Sequence, residues 1–382
     1  MKIAVIGIKG LPAEQGGIEH YCQALYSRIV EQGHYVDIYA RSSYVKKPWF
    51  SVSEYKEGIR IICLPSLSLR GLDALTNSGL AALVASLKDY NIIHFHALGP
   101  ALFSIIPRLL SSAKIIVTCH GLDWQRAKWG KFSSSIIRLG EKIAAIYAHE
   151  VVVVSRALKT YFAQTHHIRP IYIPNGPGAY AESDPNSRFV KSLGLTPGKY
   201  LLFVGRLVPE KRIDFLIQAF QILKETGWKL AITGGDSDTT VYLAELHELA
   251  QRNPNIVFTG ELKGSRLAEM VREAGLFVSA SNLEGLPLTM LEAMREGVPI
   301  VASDIAPHKQ LLGSDRGLLF DSVSILACAR AIEQAMLNPE QLAVMAEKAQ
   351  VYVKANYDWS KITAANLAVY AQNFGVVESS IA

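Results

Sequence analysis

The chain reads as an α/β protein built from two doubly wound, mainly parallel sheets. Three observations predict this: short apolar β-branched runs, helix-length segments between them, and a restart of the same pattern past a Pro/Gly-rich break. In the first half the runs are Lys2–Ile6, Tyr35–Tyr39, Ile59–Leu64, Ile92–Phe95, Lys114–Thr118 and Glu150–Val154. Most are uninterrupted, as befits strands buried on both faces of a parallel sheet. Ile18–Gln32 and Ala74–Leu87 are among the intervening helices, so the alternation spells βαβ units.

Two prolines and two glycines in Pro174-Asn175-Gly176-Pro177-Gly178 mark a linker. Beyond it, strands are expected at Tyr200–Val204, Lys229–Thr233, Asn255–Phe258, Leu276–Ser279 and Pro299–Ala302, with helices at Phe215–Thr226 and Val241–Arg252. From Ser322 to about Phe374 the chain reads as two or three helices without a clear strand. Domains are expected at residues 1–177 and 178–357, with a C-terminal helix at about 358–376. Two Rossmann-like domains of this kind face a central cleft and bind ligands beyond the carboxyl ends of their strands.

Composition narrows the class. At 382 residues, 49% hydrophobic and 19% charged, the chain is globular rather than disordered. No apolar run approaches the ~18 residues of a bilayer span, and the opening run is too short for a signal-peptide core, so a cytoplasmic chain is expected. Cys22, Cys63, Cys119 and Cys328 lie far apart, which fits buried thiols and neither a zinc site nor a disulfide framework. Residues 1–175 hold 20 Lys+Arg against 11 Asp+Glu, while residues 176–382 hold 19 against 23. The basic front half suits anionic substrates, nucleic acid or a membrane surface, or reflects chance and solubility.

The strand ends carry the chemistry. The first strand runs into Gly7-Ile8-Lys9-Gly10-Leu11-Pro12-Ala13-Glu14-Gln15-Gly16-Gly17, and amides at Gly17–Glu19 sit where a helix start favours phosphate. The spacing is not GxGxxG, and Tyr39-Ala40-Arg41 offers no acid for a ribose of NAD, so a dehydrogenase loses ground. In the second half, Arg206 at a strand end and Lys211 near a helix start oppose the helix dipole unless an anion lies between them. Glu284 belongs to a loop and Glu292 to the following helix, with Pro287 suited to its first turn. Eight residues apart, these carboxylates suit two groups of hydroxyls on one extended ligand, with helix-start amides between them.

Together these segments resemble the retaining glycosyltransferases of family 4, of the GT-B fold. Glu284 to Glu292, within SNLEGLPLTMLEAMREGVPIVASD, matches that family's E-x7-E motif, and Gly205–Lys211 its phosphate-binding segment. Gly16–Glu19 matches its N-terminal diphosphate loop, Cys119-His120-Gly121 its first-domain histidine, and Pro174-Asn175-Gly176 its interdomain linker. The resemblance implies a nucleotide-sugar donor, a UDP-sugar most often, and a glycan, glycolipid or lipid-linked acceptor. Arg206 and Lys211 would hold the diphosphate, Glu292 the ribose, and Glu284 the transferred sugar. Amides at Gly16, Gly17, Gly285, Leu286, Leu288 and Thr289 would bind phosphate and sugar; the base would lie near Leu262, and His120 beside the anomeric carbon. The C-terminal helix would cross back to the first domain. With all of Arg206, Lys211, Glu284 and His120 present, an enzyme is favoured over a non-catalytic nucleotide-sugar sensor. An epimerase or phosphorylase of the same fold stays as the alternative, although no cofactor lysine is identified for the latter.

Other features carry blander expectations. Asp236-Ser237-Asp238 could hold a metal but sits where aspartates serve turns, and no metal cofactor is expected. His94 and His96 alternate along a strand and are expected to pack or to line the cleft; His166 and His167 are expected in a surface loop. Tyr44–Phe50 and Trp124–Phe132 mix cations with aromatics, which suits peripheral contact with an anionic membrane or a sugar-stacking acceptor loop. No recognised nucleic-acid module is present.

Overall fold

The computed structural model describes residues 1–13, 16–67, 72–126, 129–223, 227–235, 240–251 and 253–372. They form two compact units. Met1–Gln125, Trp129–Gly176 and Trp359–Gln372 make the first; Pro177–Asp358 makes the second.

Among the described residues the first unit has an eight-stranded sheet: β1 (Lys2–Ile6), β2 (Tyr35–Arg41), β3 (Val52–Lys56), β4 (Ile59–Leu64), β5 (Ile92–His96), β6 (Lys114–Cys119), β7 (Glu150–Val153) and β8 (Ile171–Tyr172). Their order is β3-β4-β2-β1-β5-β6-β7-β8, parallel except for the β3–β4 hairpin. Every residue of β5 and β6 is buried, which accounts for their unbroken apolar runs. The helix Gly17–Val30 lays Tyr21, Cys22, Leu25, Tyr26 and Ile29 on one face of the sheet, joined by Ile362, Val369 and Tyr370 of the helix Trp359–Ala371. The helix Trp359–Ala371 is thus part of the first unit's core.

Two contacts hold that helix in place. The ammonium of buried Lys114 donates to the carbonyls of Val369 (2.7 Å) and Gln372 (2.9 Å), completing a helix C-terminus that favours a cation. Trp359 packs so closely on Gly176 that a Cβ there would lie 2.5 Å from the indole. The glycine of the Pro-Asn-Gly linker is therefore a packing requirement.

The second unit has a six-stranded parallel sheet among its described residues: β9 (Tyr200–Val204), β10 (Lys229–Thr233), β11 (Ile256–Gly260), β12 (Leu276–Ser279), β13 (Ile300–Ser303) and β14 (Leu318–Phe320), ordered β11-β10-β9-β12-β13-β14. The helix Ile213–Ile222 buries Ile213, Phe215, Leu216, Ile217 and Phe220 against it. Each sheet reverses its strand order once, between β1 and β5 and between β9 and β12. In each sheet taken by itself, the switch point is where the general rule places a ligand crevice, beyond the strand ends.

Several local readings are corrected. Strands β3, β8 and β14 are additions: β3 alternates half-buried and exposed residues at a sheet edge, and the other two are only two and three residues long. Pro287 is the N-cap of the helix Leu288–Arg295, one residue ahead of its first turn. Lys211 ends a separate 3-10 turn, Pro209–Lys211, and Arg212 in the left-handed region (φ 51°) starts the next helix. His166 ends the helix Arg156–His166, where its Nε2 lies 2.7 Å from Glu141, and His167 is that helix's C-cap. All four cysteines are free and buried. Among the described residues no helix is long and apolar enough to cross a membrane.

Candidate active site

In the second unit, β9 delivers Gly205 and Arg206 and β12 delivers the loop Ser281–Leu286, so both segments flank the switch point. The amide of Asn282 donates to the Glu210 carbonyl (3.0 Å), tying the two segments together. Across that tie Lys211 Nζ donates to Glu284 Oε1 at 2.5 Å, with side chains only 17% and 10% exposed. Arg206 is exposed at the end of β9. Burial alone would push the Glu284 carboxyl up, but Lys211, with His308 and the Ser281 hydroxyl, outweighs it and holds it below the usual range. Glu284 is therefore firmly anionic near neutral pH.

Glu292 has a different setting. It lies inside the helix Leu288–Arg295 and accepts from the Gly178 amide (2.9 Å) and the Tyr180 hydroxyl (3.2 Å). Burial dominates those bonds and raises its pKa. No side chain caps this helix among the described residues, so the first-turn amides at Leu288 and Thr289 are donors of the kind that receive an anion. Gly285 lies in the preceding loop and Leu286 is buried beside it. Leu262 follows β11 at the sheet edge, half-buried. Asp236-Ser237-Asp238 lies outside the described residues.

In the first unit the helix Gly17–Val30 begins after Gly16, whose φ of 98° suits only glycine. Glu19 reaches back over Gly16 and accepts from the Lys9 amide (3.3 Å), while Gln23 accepts from the Ala13 amide (2.7 Å). These two side chains brace the glycine loop from both ends, a role that its motif does not disclose.

The strand ends beside that loop carry a buried histidine chain. His96 Nδ1 lies 3.1 Å from His120 Nε2, and Tyr26 Oη lies 2.7 Å from His96 Nε2 and 3.1 Å from His94 Nδ1. Tyr370 Oη reaches His94 Nδ1 at 2.8 Å, and Thr118 Oγ1 reaches His94 Nε2 at 2.7 Å. His94 and His96 thus pack as a polar network rather than as a metal pair. Among the described residues no group of three or more His, Cys, Asp or Glu could hold a metal.

Burial holds His94 down at about 3 and His308 of the second unit at about 4, and pushes His96 well below its ordinary value. Depressed values mean that stability is full above the unfolded-state value of 6.5 and is lost as pH falls below it. Each such histidine contributes a slope of up to about 1.4 kcal/mol per pH unit. Glu292, raised rather than lowered, opposes them with a single group. The urea midpoint should therefore fall steadily between pH 7 and pH 5; a flat midpoint would mean that these rings are charged in the folded protein.

The aromatic basic segments divide. Trp124 is engaged, its Nε1 donating to Glu141 (2.9 Å) and its ring lying under Arg138 at 3.9 Å. Trp49, Phe50 and Phe132 are instead exposed, at 66%, 61% and 79%.

Comparison with known proteins agrees with this layout. Residues 187–352 match the family model for glycosyl transferases group 1, and residues 15–177 that for glycosyltransferase family 4. A GDP-mannose-dependent alpha-(1-6)-phosphatidylinositol monomannoside mannosyltransferase of Mycolicibacterium smegmatis is 26% identical over 91% of this chain and 93% of its own. Sucrose-phosphate synthase from Thermosynechococcus elongatus superposes with a TM-score of 0.83 over 97% of this chain and 98% of its own, at 22% identity. Anabaena HepE in complex with UDP-glucose gives 0.78 over 97% and 100%, at 18% identity. The fold is the GT-B fold.

Proposed function

The chain belongs to the group 1, family 4 glycosyltransferases, and we propose that it moves a sugar from a nucleoside-diphospho-sugar to a hydroxyl of a glycan, glycolipid or lipid-linked acceptor. The proposed donor is a UDP-sugar, the stereochemistry is retention, no resident metal is needed, and the setting is surface or exopolysaccharide biosynthesis in the cytoplasm. The Lys211–Glu284 pair at the switch point, beside the helix-start amides and Glu292, is the observation that carries this reading. HepE in complex with UDP-glucose supports a UDP-sugar, whereas the mycobacterial relative is GDP-mannose-dependent, so both bases belong in the test.

In this reading Arg206 and Lys211 take the diphosphate, with amides at Gly16, Gly17, Leu286, Leu288 and Thr289. Glu292 takes the ribose, Gly285 and Glu284 the transferred sugar, and Leu262 borders the base. His120 lies by the anomeric carbon. Breaking the anomeric bond leaves negative charge on the diphosphate and an oxocarbenium-like sugar. Cations and amides fixed in advance stabilise that charge without reorganising, which is where most of the rate gain arises. The departing phosphate helps to deprotonate the acceptor, which attacks on the same face. Exposed Trp49, Phe50 and Phe132 suit stacking on acceptor sugars or contact with an anionic membrane surface.

Calorimetric titration with UDP, GDP, dTDP and NAD in magnesium-free buffer tests this reading. Binding of one nucleoside diphosphate supports it and names the donor class. Binding of NAD alone, or of none of the four, overturns it.

A further inference from the structure

Behind Glu284 lies a buried polar layer to which the sequence analysis assigns no role. Ser279 closes β12, Ser303 closes the adjacent β13, His308 stands in the first turn of the helix Ala306–Leu312, and Ser281 opens the loop to Glu284. All four are buried. Polar groups so enclosed must satisfy one another, and here the donor directions can be assigned.

The Ser303 carbonyl only accepts, so His308 Nδ1 carries the proton across their 2.9 Å contact. The Ser303 hydroxyl donates to the Ser281 carbonyl at 2.5 Å. Burial keeps the ring neutral near pH 7, which leaves Nε2 as an acceptor for the Ser279 hydroxyl at 3.4 Å. The Ser281 hydroxyl lies 3.3 Å from the Ser279 hydroxyl, so the His308–Ser279 contact bears on it directly, and it is one of the groups that hold the Glu284 carboxyl below the usual range. His308 therefore joins the ends of two neighbouring strands, and Ser281 carries the connection forward to Glu284 and its Lys211 partner.

We propose that His308 is a positioning residue: by clasping Ser279 and Ser303 it fixes Ser281, and through it the Glu284 carboxylate, where the transferred sugar is held. The proposal rests on the role of Glu284 given under the proposed function. A role confined to the fold would lower stability and leave the ligand preferences as they are.

Two variants separate these outcomes. His308→Asn places an amide N–H near Nδ1 and keeps the Ser303 bond, but does not reach Ser279. His308→Gln places an amide oxygen near Nε2 and keeps the Ser279 bond. Affinities for UDP, UDP-glucose, GDP and GDP-mannose, the release of nucleoside diphosphate from the sugar nucleotide, and the melting temperature are measured for each. His308→Asn should bind the bare diphosphate as the wild type does and lose the additional affinity due to the sugar. Its release rate should drop about 100-fold, the scale of a ~1 Å misplacement of a reacting partner. His308→Gln should restore most of both. A His308→Asn protein with wild-type sugar-nucleotide affinity and release rate overturns the proposal, as does an equal loss for diphosphate and sugar nucleotide in both variants. Wild-type protein that binds none of the four probes overturns the nucleotide-sugar reading, and this proposal with it.

Discussion

Replacing Lys211 with alanine should lower turnover by ~10²–10³, the cost of removing one preorganised donor from a developing charge. The same change should also destabilise the fold, because Glu284 is left behind with its side chain 10% exposed. Stranding one partner of a fully buried pair costs about 3–5 kcal/mol, and the partial exposure of Lys211 places this case toward the lower end. Without the ammonium, burial pushes the Glu284 carboxyl upward unopposed by its largest counterweight. Its contribution then changes sign: the wild-type pair loses stability as pH falls through the lowered pKa, whereas the variant loses it as pH rises through the raised one. The double variant Lys211→Ala with Glu284→Gln removes the stranded charge. Its melting temperature should recover while turnover stays low. If turnover survives in a folded Lys211→Ala protein, the diphosphate is held elsewhere.

That contact also shows where sequence reading succeeds and where it stops. Gly205–Lys211 and Glu284–Glu292 are conspicuous because glycine and proline punctuate them at strand ends, and the long strands are conspicuous because burial on both faces leaves apolar runs. What brings Lys211 onto a residue 73 positions away is the strand order β9-β12, which separates sequence neighbours and joins distant segments. Strands β3, β8 and β14 escape notice because an edge strand alternates and a two- or three-residue strand has no period to detect. Pro287 is displaced by one position because a fixed φ suits an N-cap as well as a first turn. Tyr180 and His308 belong to no motif, and it is the fold that brings one onto Glu292 and the other behind Glu284. For His94 and His96 the sequence leaves packing and cleft lining both open; both are buried, and the chain that links them to His120, Tyr26 and Tyr370 joins four elements far apart in sequence.

Glu292→Ala should weaken nucleoside diphosphate binding by ~1–3 kcal/mol, the cost of leaving hydrogen-bonding groups without a partner. In the free protein the stranded groups are the Gly178 amide and the Tyr180 hydroxyl; in the complex the ribose hydroxyls join them. Glu292→Gln tests the charge separately from the shape, since its amide oxygen still accepts while its amino group cannot. Glu292 also has a pH signature. Its pKa is raised above 4.5, chiefly by burial, so the carboxyl takes up a proton earlier on acidification than an ordinary glutamate. A protonated carboxyl accepts hydroxyl hydrogen bonds less well, so wild-type affinity for the diphosphate should weaken as pH falls through that raised value. The ligand-free fold should respond in the opposite sense: the stability associated with Glu292 is present at low pH and is lost as pH rises through the same value. Both trends should vanish in Glu292→Gln, which cannot titrate. Calorimetric titration and urea melts of the two proteins from pH 7.5 to 5 measure both. An affinity that is equally flat in wild type and variant removes Glu292 from the ribose, whatever the alanine variant does.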